Sequence, residues 1–125
     1  MSTSQSPGAS APDLLCPRPT IAVESPIITL INVLEVAPER QSELIEILEK
    51  ATAEVMRYVP GFISASIHRS LDGTRVANYA QWLSMADFEL MLADPRAQAH
   101  IRDATAIAKA TAVLYRVSSV HLAAA

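Results

Sequence analysis

The sequence predicts an α+β protein in which a four-stranded antiparallel sheet carries its helices on one face. Apolar strand patterns and amphipathic helix patterns follow one another in the order strand, helix, strand, strand, helices, strand. A short turn, Leu71–Thr74, joins the second and third strands as a hairpin. This order is that of the ferredoxin-like α+β fold.

The 125 residues are enough for one domain with a substantial core. Residues 1–26 hold five of the eight prolines and several serines, a composition that cannot form a core, so we expect an extended N-terminal arm there. Residues 27–125 are predicted to form the folded domain, with no internal repeat.

The first strand is predicted over Ile27–Val36, which is almost continuously apolar and is therefore expected to be central in the sheet. Pro38 suits the first position of a helix. Apolar residues then recur at spacings of three and four over Leu44–Val59. We expect a helix of about five turns that ends at Pro60-Gly61.

The second strand is predicted over Phe62–Arg69. Alternation along a strand places Phe62 and His68 on one face and Ile67 on the other.

The third strand is predicted over Arg75–Trp82, with Asn78 and Trp82 on the same face and the small Ala80 between them. A buried amide without a partner costs about 1–3 kcal/mol. Asn78 therefore has a protein partner, or it faces a cavity and a ligand.

The C-terminal part begins with Ser84, which is suited to cap a short helix that extends through Leu92. Asp94 can cap a further helix, predicted from Pro95 to about Lys109. A last strand is predicted over Ala112–Leu122. The sheet face away from the helices still carries apolar side chains, so we expect a second copy to cover it in a homodimer.

Charge and composition argue against several classes of protein. The net charge is −3 without a Lys/Arg cluster, so nucleic acid is not an expected partner. The apolar runs are too short to span a membrane, and no secretory signal pattern is present. Cys16 is the only cysteine, and His100 and His121 have no ligand spacing with it, so neither disulfides nor a metal site are expected. The expected compartment is the cytoplasm.

Four motifs carry a resemblance to a known family: Val59-Pro60-Gly61-Phe62, Leu71-Asp72-Gly73-Thr74, Asn78-Tyr79-Ala80-Gln81-Trp82 with Ser84, and Ala93-Asp94-Pro95-Arg96. From about Ile27 to Ala104 the chain resembles the antibiotic biosynthesis monooxygenase family of dimeric α+β barrel proteins. It is most similar to the quinone-forming oxygenases of polyketide pathways, such as that of actinorhodin biosynthesis. The resemblance implies oxidation of a phenolic, anthrone or hydroquinone-type aromatic by O2 without a metal or flavin.

The resemblance also implies a set of catalytic residues between the sheet and the helices. Asn78 would orient a substrate oxygen, and Trp82 would donate its N–H. Arg102 would stabilise an anion, and His68 would act as general base. For Trp82 the alternative is plain core packing, and for His68 and Arg102 it is a surface position.

Two substrate-binding positions depart from the family pattern, because Ile67 and Phe88 stand where the quinone-forming enzymes have tyrosines. This departure leaves a second function open, a dimeric small-molecule binding module without turnover. A third hypothesis is haem degradation, because Asn32 and Trp82 stand where haem-degrading relatives of this fold have an asparagine and a tryptophan. Residues 91–93 (Met, Leu and Ala) supply no haem-ligating histidine.

Overall fold

A computed structural model describes Ile21 and residues 26–124. The strands are β1 (Ile28–Val36), β2 (Phe62–Arg69), β3 (Arg75–Trp82) and β4 (Ala108–Tyr115), and the helices are α1 (Gln41–Glu54), α2 (Met85–Leu92) and α3 (Pro95–Thr105). Single 3-10 turns at Pro38–Arg40 and Met56–Tyr58 flank α1. Apart from Ile21 and Pro26, the predicted N-terminal arm lies outside the described residues.

The four strands form one antiparallel sheet in the order β2-β3-β1-β4. This confirms the predicted ferredoxin-like fold, and the nearly continuous apolar β1 is one of the two central strands, as expected. The register places Asn32 of β1 directly opposite Asn78 of β3. On the other side of β3, Asn78 lies opposite Ile67 of β2.

The helices pack on one face of the sheet through two groups of buried side chains. One group lies under α1 and contains Leu34, Val36, Leu44, Ile45, Val76 and Ala104. The other surrounds the single tryptophan and contains Val55, Val59, Trp82, Phe88, Met91 and Ala97. Burial of these side chains is the main driving force for packing the helices onto the sheet.

The predicted turn and caps are present. Gly73 has φ +81°, as the hairpin turn requires. Ser84 Oγ accepts the backbone N–H of Asp87 at 3.2 Å, and Asp94 Oδ1 accepts that of Arg96 at 2.8 Å. These caps fix the starts of α2 and α3.

Helix α1 is shorter than predicted, because it ends at Glu54 rather than near Val59. Val55 has the non-helical angles φ −128° and ψ −62°, and a 3-10 turn follows. The apolar spacing nevertheless continues, since Val55 and Val59 both pack around Trp82. Periodicity alone therefore could not reveal where the helix stops.

The predicted boundary between α3 and the last strand was also wrong. The helix ends at Thr105, and β4 covers Ala108–Tyr115 rather than Ala112–Leu122. Residues 108, 110 and 112 are alanines, which favour helices when considered alone. Pairing with β1 overrides this preference.

A β-bulge between Phe62 and Ser64 changes the predicted faces of β2. Phe62 lies opposite Trp82, on the helix-covered face, whereas His68 lies opposite Ala77 on the open face. The expectation that Phe62 and His68 share a face was therefore wrong. The helices found among the described residues lack the length and the hydrophobicity that a membrane-spanning helix needs.

Candidate active site

A cavity of about 230 Å³ lies between the sheet and all three helices. Its floor is formed by β1, β3 and β4, where the small side chains Ala110 and Ala112 leave room. Its walls come from α1, the turn after it, α2 and α3. The remaining lining residues are mainly apolar: Leu30, Asn32, Leu34, Leu48, Ala51, Thr52, Met56, Asn78, Phe88, Met91, Leu92, His100, Ile101, Ala104 and Thr105. A pocket of this character is suited to an apolar small molecule.

Two asparagines supply the polar part of the floor. Asn32 and Asn78 lie opposite each other on β1 and β3, and both line the cavity. The Oδ1 atom of each is buried and has no hydrogen-bond partner among the described residues. The oxygen of Asn78 thus faces a cavity and has no protein partner among the described residues, and that a ligand fills the cavity stays a prediction. Such unpaired acceptors are costly unless a ligand satisfies them.

Trp82 borders a smaller adjoining hollow of about 50 Å³, which Asn78 also lines. Trp82 is 2% exposed, and its ring makes edge contacts with Phe62 and Phe88 at centroid distances of 5.4 and 6.2 Å. Nevertheless, its Nε1 donor is buried without a hydrogen-bond acceptor in the described residues. Trp82 is therefore a core residue that still has a free donor beside the cavity.

The two predicted substrate-binding positions that depart from the family pattern are placed differently. Phe88 lines the main cavity. Ile67 lies beside Asn78 in the register but packs against the buried group under α1 and does not line the cavity. The structure thus brings Asn32, Asn78 and Phe88 together around the cavity, whereas Ile67 lies outside the cavity lining.

The predicted places of His68 and Arg102 in this site were wrong. His68 is exposed on the open face of the sheet, opposite to the face that carries Asn78. Arg102 is exposed on α3 and does not line the cavity, because its neighbours Ile101 and Ala104 occupy the side that faces the sheet. The sequence resemblance located their elements correctly but not the faces on which they lie.

His100 lines the cavity and was missed as a site residue. The signal was present in the sequence, since Ala97, His100, Ile101 and Ala104 recur at spacings of three and four on α3. Ala97 and Ala104 are both buried. The same spacing therefore places the half-buried His100 on the sheet-facing side of the helix.

The electrostatic character of the cavity is almost neutral. His100 is the one ionisable side chain among the described residues that line it. Across residues 26–124 no group of three or more His, Cys, Asp or Glu side chains is arranged to hold a metal ion. A fold of this type with a mainly apolar cavity and unpaired amide oxygens is typical of a small protein whose site suits an apolar ligand with a few polar groups.

Comparison with known proteins narrows this class. The antibiotic biosynthesis monooxygenase family matches residues 27–103. The chain is 52% identical over 81 residues to tetracenomycin-F1 monooxygenase of Streptomyces glaucescens, which covers 65% of this chain and 72% of that protein. The chain therefore belongs to the antibiotic biosynthesis monooxygenase family, and it is a monooxygenase.

Solved structures agree with this assignment. The ActVA-Orf6 monooxygenase of Streptomyces coelicolor, solved in complex with nanaomycin D, is 31% identical with a TM-score of 0.70, covering 78% of this chain and 92% of that one. SnoaB of Streptomyces nogalater, described as a cofactor-independent oxygenase, is 22% identical, with a TM-score of 0.69 over 77% of this chain and 97% of that one. At that identity SnoaB supports the fold.

Proposed function

We propose that this monooxygenase oxidises a phenolic, anthrone or hydroquinone-type aromatic to a quinone with O2 and without a metal or organic cofactor. Four buried polar side-chain atoms of the described residues have no partner, and the three on the helix-covered face of the sheet carry the proposal: Asn32 Oδ1, Asn78 Oδ1 and Trp82 Nε1. The fourth, Thr29 Oγ1, lies on the opposite face. Two acceptors and one donor beside an apolar cavity match a hydroxylated ring that also carries a carbonyl.

The relatives support the substrate class. A monooxygenase 31% identical to this chain was solved with nanaomycin D. The apolar lining of the cavity in this chain, which includes Leu30, Met56 and Phe88, suits an aromatic ring.

The reaction needs no cofactor because the substrate anion itself reduces oxygen. An anthrone methylene loses a proton, and the resulting anion gives one electron to O2. The two radicals combine to a peroxide, which takes up a proton and loses water to leave a carbonyl. One O2 and one methylene thus give one quinone carbonyl and one water.

The protein's contribution is to bind and orient the ring. Asn32 and Asn78 accept hydrogen bonds from ring hydroxyls through their free oxygens. Trp82 donates its N–H to an oxygen that gains negative charge as the anion and the peroxide form. In an apolar cavity these contacts are stronger than in water, and water is kept away from the reacting carbon.

The test is oxygen uptake by purified, metal-stripped protein supplied with 1,8-dihydroxyanthrone and a panel of naphthohydroquinones. We expect protein-dependent uptake of one O2 per substrate, with quinone absorbance appearing at the same rate. The activity should survive chelation and need no added flavin. Spontaneous oxidation is measured in parallel with heat-denatured protein.

The contrary outcome is also informative. If no compound is oxidised faster than in the control, while ligands still quench Trp82 fluorescence, the chain binds aromatics without turning these compounds over. Uptake that disappears on metal removal and returns on metal addition would overturn the cofactor-free mechanism.

The open face of the sheet supports a homodimer as the working form. Its centre carries Ile31, Val33 and Tyr79, and towards the β4 edge Val113 and Tyr115 are 42% and 46% exposed. A second copy would cover this face. Sedimentation should give twice the chain mass, and Val113→Lys should shift it towards the monomer.

The cytoplasm is the proposed compartment. The sequence has one cysteine, Cys16, as is common for proteins in reducing surroundings. Fractionation of the producing cells tests this, and recovery of the protein in the culture medium would contradict it.

A further inference from the structure

His100 is placed for chemistry that the binding contacts above do not supply. It lines the cavity from α3, across from the floor strands that carry Asn32 and Asn78. Among the described residues around the cavity, it is the one ionisable side chain. The cavity therefore offers one side chain, an imidazole, that can accept a proton and return it.

The imidazole of His100 is not occupied elsewhere. It forms no hydrogen bond or ion pair with another described residue. The two hydroxyls that share the cavity, Thr52 and Thr105, donate at 2.9 Å to the carbonyls of Leu48 and Ile101 within their own helices. A residue fixed by structural hydrogen bonds would show partners, and His100 shows none.

The charged residues nearby do not take this place. Arg96, Arg102 and Asp103 share α3 with His100, and all three are exposed. Arg96 is paired with Asp94 at 3.0 Å. The elements packed against α3 contribute no charged side chain to the cavity lining in the described chain.

We propose that His100 is the general base that takes the proton from the substrate. This inference rests on the proposed function and deepens it. His100 removes the proton from the methylene or hydroxyl of the bound ring, and the electron pair of the broken bond stays on the substrate as its anion. After the anion has reduced O2 and the peroxide has formed, the imidazolium returns the proton to the peroxide oxygen. Loss of water then leaves the quinone carbonyl, and His100 is neutral again.

The arrangement separates binding from proton transfer. The floor asparagines hold ring oxygens, and the base approaches from the helix side. A general base at the reacting position contributes a factor of about 10²–10⁴ to the rate.

The first test compares His100→Gln with the wild type and with His121→Gln, which changes an exposed histidine of the C-terminal segment. We expect kcat for 1,8-dihydroxyanthrone to fall about 100-fold in His100→Gln, with KM changed by less than about threefold. In His100→Ala, added imidazole should restore part of kcat. A merely structural residue would not produce this rescue. An unchanged kcat in His100→Gln would overturn the proposal.

The second test needs no turnover. Without oxygen, 1,8-dihydroxyanthrone bound near neutral pH should show the absorbance of its anion in the wild type and that of the neutral form in His100→Gln. If the wild type consumes no O2 yet forms the anion in a His100-dependent way, the base assignment stands and the proposed oxygenase function fails. If the anion forms equally in both proteins, or in neither, the base assignment fails whatever the oxygen uptake.

Discussion

Among the described side-chain amides that have buried atoms, Gln41 differs in its surroundings from Asn32 and Asn78. Gln41, 5% exposed at the start of α1, donates to the carbonyl oxygens of Ser70 and Arg75 at 3.1 and 2.9 Å. Its own oxygen accepts from Arg69 at 3.3 Å. Asn32 and Asn78 have the same functional group, yet their oxygens have no partner among the described residues.

The difference separates a structural amide from an amide available to a ligand. Gln41 ties the β2–β3 hairpin to the helix, so its hydrogen bonds are used within the fold. The asparagines lie over a cavity that the fold has left open. Unpaired buried acceptors lower stability, so their presence is explained if a bound substrate donates hydrogen bonds to them.

The largest effect on activity in this comparison is expected from Asn78→Val. Valine suits a strand and removes the unpaired oxygen, so the free energy of unfolding should stay equal or rise by up to about 1 kcal/mol. Turnover of the aromatic substrate should fall about 100-fold, as when one preorganised polar contact is lost. Urea unfolding and oxygen uptake measure the two quantities on the same sample.

The matched control for Asn78 is His68→Val on the opposite face of the sheet, which should leave kcat within about twofold of the wild type. If Asn78→Val lowers stability and leaves turnover intact, Asn78 is structural, and the distinction from Gln41 disappears.

Gln41→Met should lower stability and leave turnover unchanged, which is the reverse of the result expected for Asn78→Val. Methionine keeps the volume of the side chain and removes its hydrogen bonds with Ser70, Arg75 and Arg69. Each such bond contributes about 0.5–1.5 kcal/mol, so we expect a total loss of about 1–3 kcal/mol. Activity at temperatures where the variant is folded should match the wild type. Gln98→Met is the control, because exposed Gln98 makes a single side-chain hydrogen bond, to Leu92 O at 2.9 Å, and should cost less. A Gln41 variant with normal stability would contradict the structural assignment.

Trp82 is packed within the fold, as Gln41 is, and it also has a polar atom free for a ligand, as Asn78 has. Trp82→Phe should therefore lower both turnover and the free energy of unfolding by moderate amounts. The loss of Nε1–H should lower turnover by about tenfold, since a neutral hydrogen bond is worth about 1 kcal/mol or slightly more. The smaller ring leaves space between Phe62 and Phe88, which should cost about 1–2 kcal/mol in stability. Circular dichroism follows unfolding in place of the lost fluorescence. Turnover at the wild-type rate would reduce Trp82 to a core residue.

Much of the fold could be predicted because its signals are local. The bounds of β2 and β3 follow from alternation and from the turn between them, and the caps Ser84 and Asp94 mark the helix starts. The end of α1 and the start of β4 could not be predicted. Val55 keeps the apolar spacing past the helix end, and the alanines of β4 become strand only by pairing with β1.

The candidate site was predictable in part for the same reason. Asn78 was recognisable because amides are uncommon on a strand face that packs against helices. Which face His68 occupies depends on pairing with β3, and the bulge near Phe62 shows that β2 does not keep simple alternation. His100 could have been found from the helical spacing of Ala97 and Ala104.

A third polar group, the carboxylate of Asp72 in the hairpin turn, extends the comparison. It has hydrogen-bond partners, as Gln41 does, but it is exposed, so its expected effect on stability is the smallest. Its carboxylate accepts from the N–H of Thr74 at 3.0 Å and from the hydroxyls of Thr74 and Ser70 at 2.7 and 2.8 Å. These bonds lower the pKa of Asp72 from 3.8 to about 2. The folded state therefore binds a proton at Asp72 less readily than the unfolded state does. Asp72 stabilises the fold at pH values above the pKa of its carboxyl in the unfolded chain, and this contribution is lost as the pH falls from about 4 towards 2. In urea unfolding at stepped pH, Asp72→Asn should therefore be less stable than the wild type at pH 5 and approach it near pH 2, with Asp103→Asn as the exposed-carboxylate control. A constant difference between Asp72→Asn and the wild type would mean that the turn depends on shape alone. A difference that disappears as the pH falls would show that the hydrogen bonds of Asp72 stabilise this domain even at its surface. The unpaired oxygens of Asn32 and Asn78 beneath the helices would then be exceptions that call for a ligand.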